Sequence, residues 1–201
     1  ITAANTFIAT VGAISEIGAI PVFVDCDDTF CMNVNLIEKK ITEKTKAILP
    51  VHFTGYMTDM RKLLPIASKY QLPVVEDACQ SILGAINNKN AGTWSSAGAF
   101  SLHPLKNLNV WSDGGVIVTN EDRVAEQLML LRNHGLSDRD TVTVLGCNSR
   151  LDTIQSVVAN YKMKNKLNNI TKKRIKNAHL FDKLLKAIPG VTINKRNSKL
   201  K

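Results

Sequence analysis

Short apolar runs bounded by charged or turn-forming residues alternate with longer stretches of helical spacing. "PVFVD" (21–25), "KAILPV" (46–51), "LPVVED" (72–77), "GAFSL" (98–102) and "GVIVT" (115–119) have the length and β-branched content of strands. Between them, "TFIATVGAISEIGA" (6–19), "NLIEKKI" (35–41), "DMRKLLPIASKYQ" (59–71) and "RVAEQLMLLRNHG" (123–135) have the spacing of helices. Such alternation predicts an α/β fold with a mostly parallel sheet flanked by helices. The strands are nearly continuous in apolar residues, which implies that helices bury both faces of the sheet.

From Leu151 the pattern changes. Ile154, Val158 and Tyr161, then Ile175, Ala178, Phe181, Leu185 and Ile188, recur at helical spacing. This predicts one long amphipathic helix, or two with a break near Asn168–Asn169. Pro189 and Gly190 supply the stop, and "VTIN" (191–194) is expected to open a strand of another domain. The division expected is a large domain over residues 1–165, then a connecting helix and the start of a small domain over 166–201.

Composition narrows the class. The chain has 201 residues, 44% hydrophobic and 21% charged, as in globular proteins with a real core. No apolar run approaches the ~18 residues of a membrane span. No signal peptide is visible, and a first residue of Ile1 leads us to expect that the N-terminus is missing. Cys26, Cys31, Cys79 and Cys147 form no CxxC pair and no zinc-like cluster with histidine, so free thiols in a cytoplasmic protein without a metal are expected. The net charge of +9 is unevenly spread: residues 161–201 carry 13 Lys and Arg against one acid, Asp182. The segment lacks interleaved aromatics, so it reads as the solvated face of a helix and not as a nucleic-acid surface.

The candidate chemistry gathers around one amine. Lys106 sits in a polar loop between two strands, among residues that look buried, where a lysine usually has chemistry to do. Asp77 ends a strand at the sheet edge where α/β proteins bind ligands, or else caps the "ACQSI" that follows. Gln80 lies three residues on. Ser101 precedes Lys106 by five residues, its hydroxyl suited to a phosphate or to a neighbouring backbone group. His103 lies between them and reads as structural. An amine, an acid and a hydroxyl are what pyridoxal phosphate requires: a Schiff-base lysine, a partner for the pyridine nitrogen and donors for the phosphate.

The stretches "NTFIATVGAISEIGAIPVFVD", "TKAILPVHFTGYMTDM", "VVEDACQS", "GAFSLHPLKNLNVWSDGGVIVTN", "LLRNHG" and "NSRLDTIQSVVA" make the resemblance specific. In this order they resemble the DegT/StrS family of pyridoxal-phosphate sugar aminotransferases, which have the aspartate-aminotransferase type I fold. The resemblance covers nearly all of residues 1–165. It implies that Lys106 forms the covalent link to the cofactor and that Asp77 pairs with the pyridine nitrogen. It places Gln80 near the phenolic oxygen, Ser101 on the phosphate and Phe7 on the pyridine ring. Asn148 would reach the phosphate of the partner subunit's cofactor, which implies a homodimer with shared active sites.

There are departures. Cys147 stands where family members often have an aromatic residue. The upstream glycine/threonine phosphate-binding turn and the C-terminal small domain are missing, so the chain reads as a fragment. The resemblance implies a cytoplasmic transaminase of amino-sugar and polysaccharide biosynthesis, acting on a nucleotide-linked keto sugar with L-glutamate as amino donor. The wording "NSRLD" resembles members acting on 3-keto sugars more than on 4-keto ones. Two alternatives are carried. One is a sugar dehydratase of the same fold, in which histidine replaces the Schiff-base lysine. The other is a non-enzymatic regulatory or nucleic-acid-binding protein using the basic helix.

Overall fold

The computed structural model of the chain describes residues 1–194. Its first elements are β1 (Thr2–Ala3), α1 (Ile8–Glu16), β2 (Phe23–Val24), α2 (Met60–Lys69) and β3 (Val75–Asp77). A small hairpin, β4 (Ala85–Ile86) and β5 (Lys89–Asn90), precedes β6 (Ala97–Ser101) and β7 (Gly115–Val118). The helices α3 (Asp122–Leu131), α4 (Thr153–Asn165) and α5 (Leu167–Leu185) follow.

Residues 48–51 join the separate strand pairs into one sheet. Leu49 bridges to Thr2, while Ile48 and Val51 bridge to Val74 and Asp77, all in parallel. The order across the sheet is therefore β2, β1, residues 48–51, β3, β6, β7. The pairing is parallel up to β6, and β7 closes it antiparallel, with Ser101 opposite Gly115. Among the described residues, no helix is long and apolar enough to cross a membrane.

The elements follow from local chemistry. Asp59 starts α2 by accepting the Arg61 amide at 3.2 Å, and Met60, Leu63 and Ala67 then turn one face to the core. Asp152 and Gln155 form a reciprocal capping box at the start of α4. Val24, Ile37, Ile48, Met60 and Leu63 are fully buried in one cluster. Each such side chain contributes about 1.5–3 kcal/mol. A second cluster of Leu102, Leu108, Val110 and Leu167 anchors the loop that carries Lys106.

Several expectations need correction. Residues 35–41 form two short 3-10 turns, Val34–Leu36 and Glu38–Lys40, not an α-helix. Asn33 caps the first of them, and the segment is too short to pay for a helical nucleus. Helix α1 stops at Glu16, ahead of Gly18 in the left-handed region. The break in the long helix falls at Lys166, whose φ of −126° leaves the helical range, and not at Asn168–Asn169. Residues 191–194 carry no strand. The strands are not all buried on both faces: Phe23 of β2, Val75 of β3, and Val116 and Ile117 of β7 are 44%, 36%, 43% and 52% exposed, because no described helix covers that side of them. Strand β1 and the β4–β5 hairpin are too short for the apolar pattern to reveal.

Candidate active site

Asp77 ends β3 opposite Ala99 of the parallel neighbour β6. Ser101 lies two residues beyond Ala99, so it shares that face of the sheet, about 7 Å further along the strand. The preceding acid, Glu76, points to the other face. It accepts hydrogen bonds from His52 Nε2 (2.9 Å), the amides of Gly92 (2.8 Å), Trp94 (2.8 Å) and Ser95 (3.1 Å), and the Ser95 hydroxyl (2.9 Å). The Thr58 amide donates to His52 Nδ1 at 3.3 Å, leaving Nε2 as the nitrogen whose hydrogen faces Glu76. A side chain on Gly98 would strike the backbone of Gly92, so the 92–95 loop comes close to β6 only because both residues are glycine. Glu76 thus pins the strand from beneath while Asp77 faces the site.

Both Asp77 oxygens are engaged. Oδ1 accepts the Cys79 amide at 3.1 Å, the capping bond foreseen, although a turn and not a helix follows. Oδ2 accepts the Thr10 hydroxyl of α1 at 2.6 Å. Thr10 in turn lies 2.7 Å from the Thr6 hydroxyl. The sequence reading missed Thr10; its signal was a threonine in the first, otherwise apolar turns of α1, four residues after Thr6. The Cys79 thiol donates to the Ala99 carbonyl at 3.6 Å. It is pushed up to about 12, by burial first and then by the charge of Asp77, with the charge of Lys106 acting in the opposite sense. Cys79 therefore lies within electrostatic reach of both Asp77 and Lys106 and remains a protonated thiol at neutral pH.

The Lys106 loop is tied down at several points. The Lys106 amide donates to the His103 carbonyl at 2.8 Å, and the Lys106 carbonyl accepts the Asn109 side-chain amide at 2.8 Å. Asn109 Oδ1 accepts Lys162 Nζ from α4 at 2.6 Å, a brace that the sequence reading did not foresee. Ser101 Oγ accepts the His103 amide at 3.2 Å, which leaves the hydroxyl hydrogen for another acceptor. His103 Nδ1 accepts the Leu105 amide at 3.2 Å, the structural role expected of it. The loop is more open than its apolar letters suggest. Lys106 is half-buried, and Leu105 and Trp111 are 83% and 72% exposed.

Gln80 Oε1 accepts the Thr54 amide at 3.0 Å, from a turn in which Thr54 (φ 54°) and Gly55 (φ 92°) are both left-handed. Its amide nitrogen is then the end left to donate. Phe7 is exposed at the start of α1, one turn before Thr10. Asn148 is exposed and accepts from Arg150 Nε at 2.9 Å. It shares no hydrogen bond with Asp77, Gln80, Ser101 or Lys106. The chain thus brings Asp77, Ser101 and the Lys106 loop together and links Phe7 to them through Thr10. A cavity of about 700 Å³ is lined in part by Asn5, Phe30, Phe53, Thr54 and Tyr56 and by none of these candidates, although Thr54 donates to Gln80. Among the described residues, no three His, Cys, Asp or Glu side chains are placed to hold a metal.

The DegT/DnrJ/EryC1/StrS aminotransferase family matches the chain over residues 1–200. The chain belongs to that family. It is 43% identical over 191 residues to the "Pleiotropic regulatory protein" of Geobacillus stearothermophilus, covering 94% of this chain and 51% of the relative. It is 46% identical over 154 residues to the UDP-N-acetyl-3-dehydro-alpha-D-glucosamine 3-aminotransferase of Acidithiobacillus ferrooxidans, covering 76% of this chain and 42% of the relative. Among solved structures, S. venezuelae DesV in complex with a ketimine intermediate superposes with a TM-score of 0.94 at 33% identity, over 100% of this chain and 54% of that one. The expected aspartate-aminotransferase fold class is therefore present over the part of a family member that this chain spans. That part is about half the length of the curated relatives it matches.

Proposed function

We propose that this chain is the cofactor-binding part of a pyridoxal-phosphate aminotransferase that passes an amino group from L-glutamate to a nucleotide-linked keto sugar. The observation that carries the reading is the convergence of Asp77, Ser101 and the Lys106 loop at one end of the β3–β6 pair. This donor set fits the cofactor: an amine for its aldehyde, a carboxylate for its ring nitrogen and a hydroxyl with a hydrogen to give to its phosphate. When bound, the cofactor withdraws electrons from the carbon that carries the amine. Lys106 Nζ holds the cofactor between turnovers and moves a proton at the substrate carbon once released. Asp77 keeps the proton on the ring nitrogen. Ser101 orients the phosphate, Gln80 donates to the phenolic oxygen and Phe7 stacks on the ring.

Asn148 serves the partner subunit's cofactor in a homodimer. Two observations support this: Asn148 is exposed, and apolar side chains, Ile8, Ile17 and Leu145 among them, are left uncovered among the described residues. The relatives' names favour a 3-keto sugar. Besides the Acidithiobacillus enzyme, they include a dTDP-3-amino-3,4,6-trideoxy-alpha-D-glucose transaminase and a UDP-2-acetamido-2-deoxy-3-oxo-D-glucuronate aminotransferase. The enzyme works in the cytoplasm, where nucleotide sugars are made. No observation favours the dehydratase, since lysine occupies the loop and His103 is engaged with its own backbone turn.

The test uses protein expressed from the complete reading frame. Borohydride should fix the cofactor to the peptide that contains Lys106, and Lys106→Ala should abolish turnover. A label on another lysine overturns the assignment. Transfer from L-glutamate to UDP- or dTDP-linked 3-keto sugars, assayed beside their 4-keto isomers, tests the substrate class.

A further inference from the structure

We propose that Thr10 is a positioning residue that fixes the orientation of Asp77 through a relay of two hydroxyls beginning at Thr6. The inference rests on the reading of Asp77 as the acid facing the cofactor's ring nitrogen. A carboxylate can only accept hydrogen bonds, so the single Thr10 hydrogen goes to Asp77 Oδ2 across their 2.6 Å contact. The Thr10 oxygen then accepts, and the 2.7 Å contact with Thr6 must run from Thr6 to Thr10. Thr10 is only 6% exposed, so water does not replace this donor freely. With Oδ1 held by the Cys79 amide, the two oxygens are anchored on different elements, Oδ2 by a side chain of α1 and Oδ1 by the backbone of the turn after β3. Rotation of the carboxylate is blocked, while each oxygen keeps a second lone pair for a ligand.

A carboxylate held in one orientation meets a ring nitrogen along one direction, so the effect of the relay is felt by a ligand that carries that nitrogen and not by one that lacks it. Helix α1 therefore does two jobs within one turn. It presents Phe7 at its start and sets Asp77 through Thr10.

Thr10→Val removes the hydroxyl and keeps the shape, and Thr10→Ser restores the hydroxyl. Both are made in protein from the complete reading frame. Binding is measured with pyridoxal phosphate and with its 1-deaza analogue, which has no ring nitrogen. Thr10→Val should weaken pyridoxal phosphate on the order of tenfold, the size of one hydrogen bond to a charged group, and lower kcat more than KM changes. It should leave the deaza analogue nearly unaffected, and Thr10→Ser should recover most of the loss. Equal weakening of both ligands, or no weakening of either, overturns the proposal. Asp77→Asn is the control for the underlying reading. If it leaves binding and turnover unchanged, the role of Asp77 fails and the relay falls with it. If Asp77→Asn impairs the enzyme and Thr10→Val does not, only the relay fails.

Discussion

At the scale of the residue, two neighbouring acids on one short strand have different work. Asp77 faces the site, and Asp77→Asn keeps its shape while removing its charge. Turnover should fall by about 10²-fold, the magnitude expected for a preorganised charge, in a steady-state assay of the complete enzyme. Glu76 faces the core, where burial acts first to raise it. The hydrogen bond from His52, with those from Gly92 and Ser95, outweighs burial and holds the carboxyl below its ordinary 4.5. A lowered folded value means a contribution to stability that is complete above about pH 4.5 and is lost as pH falls through the lower folded value. Glu76→Gln should therefore cost ~3 kcal/mol or more at neutral pH, by denaturant unfolding. The gap to the parent protein should narrow as the titration is carried below pH 4.5. Cys79 offers a simpler check. Its thiol is held protonated, so iodoacetamide at neutral pH should modify the exposed Cys147 well before Cys79.

At the scale of the element, the Lys106 loop draws its geometry from a helix far along the chain. Lys162 of α4 grips Asn109, and Asn109 grips the Lys106 carbonyl. Lys162→Met should speed amide hydrogen exchange at residues 105–109 and slow turnover, with global stability changed by no more than about 1 kcal/mol, because the contact is only part-buried. Elements of this kind were legible where a repeating pattern specified them. The amphipathic stripe of Met60, Leu63 and Ala67 announced α2, and the apolar run before Asp77 announced β3. Lys106 and Asp77 stood out because charged residues next to apolar runs need a reason. Thr10, Asn109, Lys162 and the His52–Glu76 pair did not stand out. Each depends on a partner between 24 and 67 residues away, and nothing in the spacing of a single chain encodes such a pairing. The openness of the loop was also illegible: Leu105 and Trp111 are apolar letters with no cover among the described residues.

At the scale of the whole molecule, the exposed position of Asn148 leads to a test of assembly. Lys106→Ala and Asn148→Ala subunits, each impaired alone, should regain part of their activity when refolded together, since one site of the mixed dimer holds both residues. If mixed dimers form and activity stays absent, the shared site is wrong. The order of the sheet has another consequence. From β1 onward, position across the sheet repeats position along the chain: residues 48–51 join β1, β3 joins residues 48–51, β6 joins β3 and β7 joins β6. Only β2 is added on the other side. A ribosome releases these segments in the same order, so each new strand meets an edge that is already built, and none must be threaded between two others. Protection of the nascent chain from protease should then rise in steps as residues near 50, 77, 101 and 118 clear the exit tunnel. A chain stalled between two steps exposes an unpaired strand edge, and those lengths should be the ones that aggregate.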